Sequence, residues 1–492
     1  MAELYRKTPI MGWASWNCFR TDITEKKMKE QADALVSTGL KEYGYTYLNM
    51  DDGFFGGRGE DGRLQFHRER FPNGIKTVAD YAHSLGLKAG TYADGGDNTC
   101  GHYYDGEGGN GLGVGLYGYE EQDLRMYLDE FGFDFIKVDW CGGVRLGLSE
   151  EEQYTKIGKI IDKIRHETDR QLVYNICRWE FPGEWAASVA DSWRTGADIT
   201  PDFGSVLHQL DIIKPLARYT SPGHVNDLDM MQLGNGGLTH EEEKTHFAMW
   251  CMMSTPLMIG CDLTKISNET LGILKNEELI AINQDSACLQ AFVIKEIRNG
   301  DGVLLGEIWL KHLGGKNSSE KAIAILNRGD KPLAVSFDFS DAGLTDIISV
   351  RDLCEKRDVA AENSISAEVP PHGVQVYRAA AKSSVPVENK DDKGYKRREV
   401  KKITLDEAKR LQSEGAVLID VRSEEEYKAK HLDGAVNIQN AHIQAISNII
   451  PNRSQPVIVY CSTGKRSLQA KNSIDYLGYK SVYYLGGVPE VV

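Results

Sequence analysis

Apolar residues recur along the chain in two ways, first as strands that alternate with helices and later as strands alone. From about residue 8 to 285, short apolar runs closed by Gly, Asp or Asn alternate with amphipathic stretches. About eight such βα units predict a parallel sheet closed into a (β/α)8 barrel, which we assign to residues 1–288. The predicted strands are 9–16, 45–50, 87–92, 133–139, 172–179, 192–198, 219–229 and 256–262.

Beyond the barrel the pattern changes twice. Residues 289–380 show short alternating runs separated by Gly, Asn and Asp, which is typical of an antiparallel β-sandwich. Residues 381–395 are polar and charged, which predicts a linker. Residues 396–492 are again α/β and too short for a second barrel, so we expect a small third domain. The predicted sandwich strands are 292–297, 303–309, 322–326, 335–339 and 374–377.

Polar side chains gather where the predicted barrel strands end. The carboxyl ends of parallel strands meet at one rim of a barrel, and barrel enzymes carry their active sites there. Twelve polar or aromatic residues at one rim indicate a site rather than solvated loop ends. They are Trp13, Asp51, Asp52, Tyr92, Asp94, Lys137, Asp139, Arg178, Arg194, Asp198, Asp227 and Asp229.

The run 133–143 carries the strongest single signal in this rim. Its apolar residues predict a buried strand, and Lys137 and Asp139, two residues apart, point to the same face of it. A buried cation and carboxylate are costly without a role. A nearby cation also holds a carboxylate ionised, as a nucleophile requires. A purely structural Lys–Asp pair is the alternative.

Carboxylates at the rim suggest chemistry on a sugar. Asp139 and Asp198 end different strands, and retaining glycosidases need two carboxyl groups about 5–5.5 Å apart. The adjacent Asp51 and Asp52 offer acceptors for sugar hydroxyls, and the Trp13 indole offers a flat apolar face to a pyranose. Packing in the core is the alternative role for Trp13.

Cations at the rim bear on a second alternative, a Mg²⁺ site of the enolase type built from the same carboxylates. Lys137, Arg178 and Arg194 argue against a metal ion there, and they are suited to bonding hydroxyls and biasing carboxylate pKa values. Asp227 and Asp229 are as well explained by capping of their loop as by direct contact with a ligand. We therefore predict no metal and no cofactor.

The composition of the chain limits the classes of partner that it is expected to bind and the compartment in which it is expected to work. The chain has 492 residues and a formal net charge of −15, which disfavours nucleic acid and anionic membranes but suits a neutral substrate. We find no membrane-spanning run and no signal peptide at the start. Nine cysteines without a disulfide framework predict a reducing compartment, and hence a cytoplasmic protein. Whether the chain forms a homo-oligomer stays open.

Residues 8–380 resemble glycoside hydrolase family 27, the family of α-galactosidases and α-N-acetylgalactosaminidases. The order and spacing of the shared motifs match over nearly the whole predicted barrel. The resemblance implies a (β/α)8 barrel, a following antiparallel β-domain and hydrolysis of terminal α-galactosides. The matching stretches are TPIMGWASWN, YLNMDDGF, GTYADGGDNTC, FIKVDWCGG, SWRTGADI, NDLDM and MWCMMSTPLMIGCDL.

The resemblance also implies roles for single residues. It makes Asp139 the nucleophile and Asp198 the general acid/base of a retaining double displacement. Because the two roles need different protonation states, we expect Asp198 to titrate above Asp139. Cys100 and Cys141 correspond to a pair that family members join as a disulfide. The implied pocket residues are Trp13, Asp51, Asp52, Tyr92, Lys137, Cys141 and Arg194.

One loop departs from the family pattern. Where the family usually reads Cys-Glu-Trp, this chain reads Cys177-Arg178-Trp179. A long Arg178 leaves little room for an N-acetyl group and favours galactose, and it is also a candidate donor to the 2-hydroxyl. α-N-Acetylgalactosaminidase and β-L-arabinopyranosidase stay as alternatives, although an intact Asp51–Asp52 pair argues against a sugar without a 6-hydroxyl. Outside the enzymes, the alternative is a carbohydrate-binding barrel that has lost catalysis.

The C-terminal domain carries a separate motif. Cys461 follows an apolar strand and opens a loop that leads into a helix, with Lys465 and Arg466 nearby, so it is a candidate nucleophile. The region resembles a single-domain rhodanese, which implies sulfur transfer through a persulfide on Cys461, with an acceptor that the sequence does not specify. A partner-binding rhodanese without catalysis is the alternative. The similar stretches are LIDVR, EEY, HLDGAVNI, CSTGKRS and LGG.

Overall fold

The computed structural model describes residues 7–390, 402–440, 443, 446–477 and 479–488. Within these residues the chain forms a parallel barrel, an antiparallel sandwich and a small α/β domain, in the predicted order. The part of the predicted linker beyond residue 390 and the predicted start of the third domain at residue 396 lie outside the described residues. No helix in the described part of the chain is long and apolar enough to span a membrane.

An eight-stranded parallel sheet forms the TIM-like barrel, in the order β10-β1-β2-β5-β6-β7-β8-β9. A parallel bridge between Met231 and Ile259 links the segment after β9 to β10 at the seam of the barrel. A short hairpin, β3–β4, lies outside this sheet. The strands are β1 Met11–Ala14, β2 Tyr47–Asn49, β3 Phe55–Arg58, β4 Leu64–Phe66, β5 Lys88–Asp94, β6 Phe135–Asp139, β7 Val173–Ile176, β8 Ser192–Arg194, β9 Val225–Asp227 and β10 Leu257–Ile259.

Helices cover the barrel and follow its strands as the periodicity predicts. Thr24 caps α2 through a hydrogen bond from Lys27 N to its Oγ1 (3.1 Å), and the chain leaves this helix at Gly39 with φ +76°. The helices are α1 Trp16–Phe19, α2 Glu25–Ser37, α3 Lys76–Ser84, α4 Cys100–Tyr104, α5 Glu120–Arg125, α6 Cys141–Leu146, α7 Glu150–Thr168, α8 Phe203–Ile213, α9 His240–Met253, α10 Asn268–Leu274 and α11 Glu277–Asn283.

The sandwich pairs a six-stranded sheet, β11-β12-β13-β18-β15-β16, with the hairpin-like pair β14–β17. Its last strand runs to Ser384 and pairs with β15, so it extends into the stretch predicted as a linker. The strands are β11 Phe292–Arg298, β12 Leu304–His312, β13 Glu320–Asn327, β14 Leu333–Asp338, β15 Leu344–Asp352, β16 Arg357–Asp358, β17 Ser364–Val369 and β18 Val374–Ser384.

The third domain is a four-stranded parallel sheet, β20-β19-β21-β22, with helices around it. Thr404 caps its first helix by accepting a hydrogen bond from Glu407 N (3.2 Å). Its last helix, α15, packs on α8 of the barrel. The elements are α12 Leu405–Ser413, β19 Val417–Asp420, α13 Glu424–Ala429, β20 Val436–Asn437, α14 Ile446–Ile449, β21 Val457–Cys461, α15 Lys465–Tyr476 and β22 Val482–Gly487.

Candidate active site

Strand register decides which side chains face the barrel interior. In the β5–β6 pair, Tyr92 lies opposite Lys137 and Asp94 opposite Asp139. Residues opposite one another in a parallel sheet project to the same face. The four side chains therefore share the interior face near the carboxyl ends of the two strands, as predicted.

Lys137 lies at the centre of this group. Its Nζ is 2.8 Å from Asp51 Oδ2 and 3.8 Å from Asp139 Oδ2, so Asp51 is the closer partner. It also lies 5.3 Å from the ring centroid of Tyr92 and 5.8 Å from that of Trp16. Burial opposes protonation, but the neighbouring carboxylates outweigh it and raise the pKa of Lys137 above its usual value. The lysine is a fixed cation at the barrel mouth.

Asp139 ends β6 and is almost fully buried. Its Oδ1 accepts a hydrogen bond from Trp140 N (3.1 Å). Burial raises the pKa of Asp139 to about 6, while Lys137 lowers it and the charges of Asp198 and Asp51 raise it. Asp139 and Asp198 thus interact electrostatically, although 59 positions separate them in the sequence.

The predicted carboxylate pair after β2 is held in place by backbone donors. Asp51 Oδ1 accepts from Asp52 N (2.9 Å), and Asp52 accepts from Gly53 N (2.8 Å) and Gly101 N (2.7 Å). Burial raises the pKa of Asp52 to about 7. The remaining acceptor capacity of the pair suits hydroxyl donors.

Asp94, which the sequence placed at the rim without a role, organises the loop after the β6 strand. It accepts hydrogen bonds from Gly96 N (2.7 Å), Cys141 N (2.7 Å) and Gly142 N (3.0 Å). Cys141 is joined to Cys100 by a disulfide. This bond does not fit the reducing compartment predicted from the cysteine pattern. Asp94 and the two cysteines cluster like metal ligands within the described part of the chain, but bonded sulfurs are not free thiolates.

Arg194 joins Asp198 to a carboxylate whose role the sequence left open. Its Nη2 lies 3.2 Å from Asp198 Oδ1 and 2.8 Å from Asp229 Oδ2. Asp229 has φ +78° and also accepts from Ile199 N (2.8 Å), one residue beyond Asp198. Asp229 therefore positions both the arginine and the loop that carries Asp198. Asp229 is the closer of the two partners, and the charge of Arg194 is shared between both carboxylates.

The structure corrects the role predicted for Trp13. Its register partners, Leu48 and Ile259, belong with it to the large core cluster around the barrel, and its Nε1 donates to Cys261 O (2.7 Å). Trp16, three residues later, clusters with the interior residues instead and lies near Lys137. Trp13 therefore packs in the core, and Trp16 joins Tyr92 as an aromatic side chain near Lys137.

Arg178 is also directed elsewhere than predicted. It forms an ion pair with Glu150 of α7 through Nε and lies 3.9 Å from Glu180. The interior position next to it belongs to Cys177, whose Sγ lies 3.7 Å from Arg194 Nη1. Counting alternate residues from Asn175 on β7 would have identified Cys177 as the inward residue.

In the third domain, Cys461 ends β21 and lies fully buried in its loop. Its Sγ accepts from Gly464 N (3.0 Å) and Ser467 N (3.4 Å), at the N-terminus of α15. Arg466 is held by Glu426 through two bonds of 2.6 and 2.8 Å. The side chain of Lys465, predicted to lie near Cys461, is outside the described residues.

A parallel barrel whose strand ends bring together two carboxylates, a lysine and an arginine belongs to the class of barrel enzymes. Residues 8–285 match the family model described as Alpha galactosidase A, and residues 306–379 match the Alpha galactosidase C-terminal beta sandwich domain. The chain therefore belongs to the alpha-galactosidase family and is a glycoside hydrolase. Residues 404–491 match a Rhodanese-like domain.

Named relatives span both domains of the hydrolase part. An alpha-galactosidase of Oryza sativa is 36% identical over 376 residues, covering 75% of this chain and 84% of the rice protein. Alpha-galactosidase A of Cellvibrio japonicus is 37% identical over 402 residues, covering 76% and 93%. The crystal structure of alpha-galactosidase I from Mortierella vinacea superposes with a TM-score of 0.68 and is 29% identical, covering 77% of this chain and 98% of that one.

Proposed function

We propose that the protein hydrolyses terminal α-D-galactosyl residues with retention of configuration. The observation that carries the proposal is the pairing of Asp139 with Lys137 inside the barrel, facing a second carboxylate, Asp198, that is held by Arg194. The names of the relatives supply the sugar. Lys137 and Asp51 offer a donor and an acceptor for its hydroxyls, and Trp16 offers an apolar face.

Both chemical steps use carboxyl groups of this chain together with water. Protonated Asp198 donates its proton to the glycosidic oxygen as Asp139 attacks the anomeric carbon, so the aglycone leaves and a glycosyl ester forms. Asp198, now ionised, then takes a proton from water, whose oxygen attacks the same carbon and frees Asp139. Arg194 Nη2 donates a hydrogen bond to Asp198 Oδ1 (3.2 Å) and so orients this carboxyl.

Galactose remains our choice of sugar, although Arg178 supports it less than the sequence suggested. Arg178 is bound to Glu150 of α7. Its contacts therefore give no reason to expect it to exclude an N-acetyl group. The choice between galactose, N-acetylgalactosamine and arabinopyranose is therefore part of the experiment.

The test is hydrolysis of p-nitrophenyl α-galactoside by the wild type and by Asp139→Ala, with the N-acetylgalactosaminide and the β-L-arabinopyranoside in parallel. We expect the variant to lose roughly four orders of magnitude or more in kcat/KM. Asp80→Ala, an exposed aspartate on α3, is the matched control. Release of the β-anomer of galactose first, detected by proton NMR, would contradict retention, and full activity of Asp139→Ala would contradict the nucleophile.

We also propose sulfur transfer at Cys461, because its sulfur accepts two backbone N–H groups at a helix N-terminus. The thiolate attacks the outer sulfur of thiosulfate, sulfite leaves, and the resulting persulfide passes that sulfur to cyanide as thiocyanate. Thiocyanate formation by the wild type and its absence in Cys461→Ser are the expected results. Equal thiocyanate formation by both proteins would refute the assignment, and a wild type without turnover would favour a partner-binding domain.

A further inference from the structure

Side chains of the barrel bind the backbone of the loop that carries Asp198 at three positions. Arg194 Nη2 donates to Gly196 O (3.1 Å), and Gln209 Nε2 donates to Ala197 O (2.6 Å). Asp229 accepts from Ile199 N (2.8 Å). These three partners all belong to the barrel.

The carbonyl of Asp198 itself is bound by a different domain. Gln469, on α15 of the rhodanese-like domain, donates from Nε2 to Asp198 O (3.0 Å) across 271 positions of sequence. The Gln469 side chain is fully buried, and its Oε1 accepts from Asn440 Nδ2 (3.1 Å). A carbonyl only accepts, so this orientation of the amide follows from its partners. Gln469 is thus anchored on its own domain and bonded to the loop of the barrel.

Around Gln469, further contacts join the rhodanese-like domain to the barrel and to the sandwich. An outer helix of a barrel normally leaves one face in solvent. In α8, which follows the Asp198 loop, every residue but Ile212 is buried. Ser473, one turn beyond Gln469, places its Oγ 3.4 Å from His208 Nδ1 of α8. Arg453 of the same domain donates to Gly302 O of the sandwich (2.9 Å).

From this contact we infer that Gln469 is a positioning residue for Asp198, so that the rhodanese-like domain completes the glycosidase site. The inference rests on the proposed role of Asp198 as general acid/base. A bond to the main chain of Asp198 restricts the backbone from which its carboxyl projects. General acid catalysis depends on that placement within fractions of an ångström.

The test uses the full-length protein and two galactosides that differ in leaving group. Methyl α-galactoside needs a proton from the acid, whereas p-nitrophenolate leaves with little help. Gln469→Met keeps the side-chain volume and removes the donor. We expect kcat/KM on the methyl glycoside to fall about tenfold to a hundredfold, with less than about a threefold loss on the aryl glycoside. The ratio of the two rates does not depend on the folded fraction of the sample.

Two further variants make the outcome specific. Asn440→Ala leaves Gln469 in place but removes its anchor, so a smaller change in the same direction is expected. Gln412→Ala removes a glutamine that donates to Asp433 O (3.1 Å) within the same domain, and it should leave the ratio unchanged.

Asp198→Ala separates this inference from the function on which it rests. If Asp198→Ala changes the leaving-group ratio and Gln469→Met does not, the positioning role is wrong and the acid/base assignment stands. If Asp198→Ala also leaves the ratio unchanged, both are wrong. An equal loss on both substrates in Gln469→Met would indicate a structural contact alone and would overturn the inference.

Discussion

Lys137 lies between two carboxylates of the site, with its Nζ 2.8 Å from Asp51 Oδ2 and 3.8 Å from Asp139 Oδ2. The cation is therefore shared between a carboxylate suited to the sugar and the proposed nucleophile. Lys137 lowers the pKa of Asp139, but at 3.8 Å it does not cancel the effect of burial, which raises that pKa to about 6.

The acid limb of the pH–rate profile should report this balance. Asp139 must be ionised to attack, so we expect kcat/KM to fall as the pH drops through about 6. Lys137→Met removes the charge that lowers the pKa of Asp139, and the midpoint should therefore move to higher pH by at least about one unit. Lys88→Met, at the opposite end of β5, is the control. An unmoved midpoint in Lys137→Met would show that the lysine does not act on the titrating group.

Substitution of Trp16 should weaken the binding of galactose, whereas substitution of Trp13 should lower the stability of the protein. Trp16→Ala removes the aromatic face near Lys137, and we expect inhibition by galactose to weaken about fivefold to tenfold. Trp13→Ala opens a cavity in the core, and we expect it to lower the free energy of unfolding by roughly 3–5 kcal/mol without changing the galactose constant of the folded protein. Titration with galactose and denaturant unfolding of both variants measure this. Weaker inhibition of Trp13→Ala by galactose would instead support the role in sugar binding that the sequence predicts for Trp13.

A chelator should leave hydrolysis of the galactoside unchanged. Both sulfurs of the Asp94 cluster are bonded to each other, and Lys137 occupies the space among the carboxylates that a cation would take. Initial rates before and after dialysis against EDTA measure the effect. Loss of activity that Mg²⁺ restores would revive the metal-dependent alternative.

Elements whose signals are local are the ones that a sequence can predict. Helix α2 has a capping Thr24 and a terminal Gly39, and each acts within its own turn of chain. The β3 strand reads Phe-Gly-Gly-Arg, which has no alternation of apolar and polar residues, and it was missed. The β15 and β17 strands of the sandwich were missed as well, although their pairing with β18 and β14 is regular.

Site residues were predicted where the strand end alone identifies them, as for Asp139. The choice between Trp13 and Trp16 depends instead on the register of β1 against its neighbours, and a shift of one residue reverses the face. The contact between Gln469 and Asp198 joins two domains, and no periodicity within either domain encodes it.

The disulfide between Cys100 and Cys141 should stabilise the protein and its site together. It closes a loop across 41 positions of sequence, and loss of such a constraint costs roughly 2–4 kcal/mol. Cys141 N is also one of the donors to Asp94, next to the loop of Asp139. We therefore expect the double variant Cys100→Ser/Cys141→Ser to unfold at lower guanidinium concentration and to turn over the galactoside more slowly.

The matched control is Cys18→Ser/Cys354→Ser, which replaces two half-buried cysteines that form no disulfide. Wild type treated with dithiothreitol should unfold like the Cys100/Cys141 variant, because both lack the same bond. Such a result would link full activity to an oxidised site and argue against the cytoplasmic location inferred from the cysteine pattern. Wild-type stability in the reduced protein would instead show that the loop is held by Asp94 alone, and the cytoplasmic prediction would keep its support.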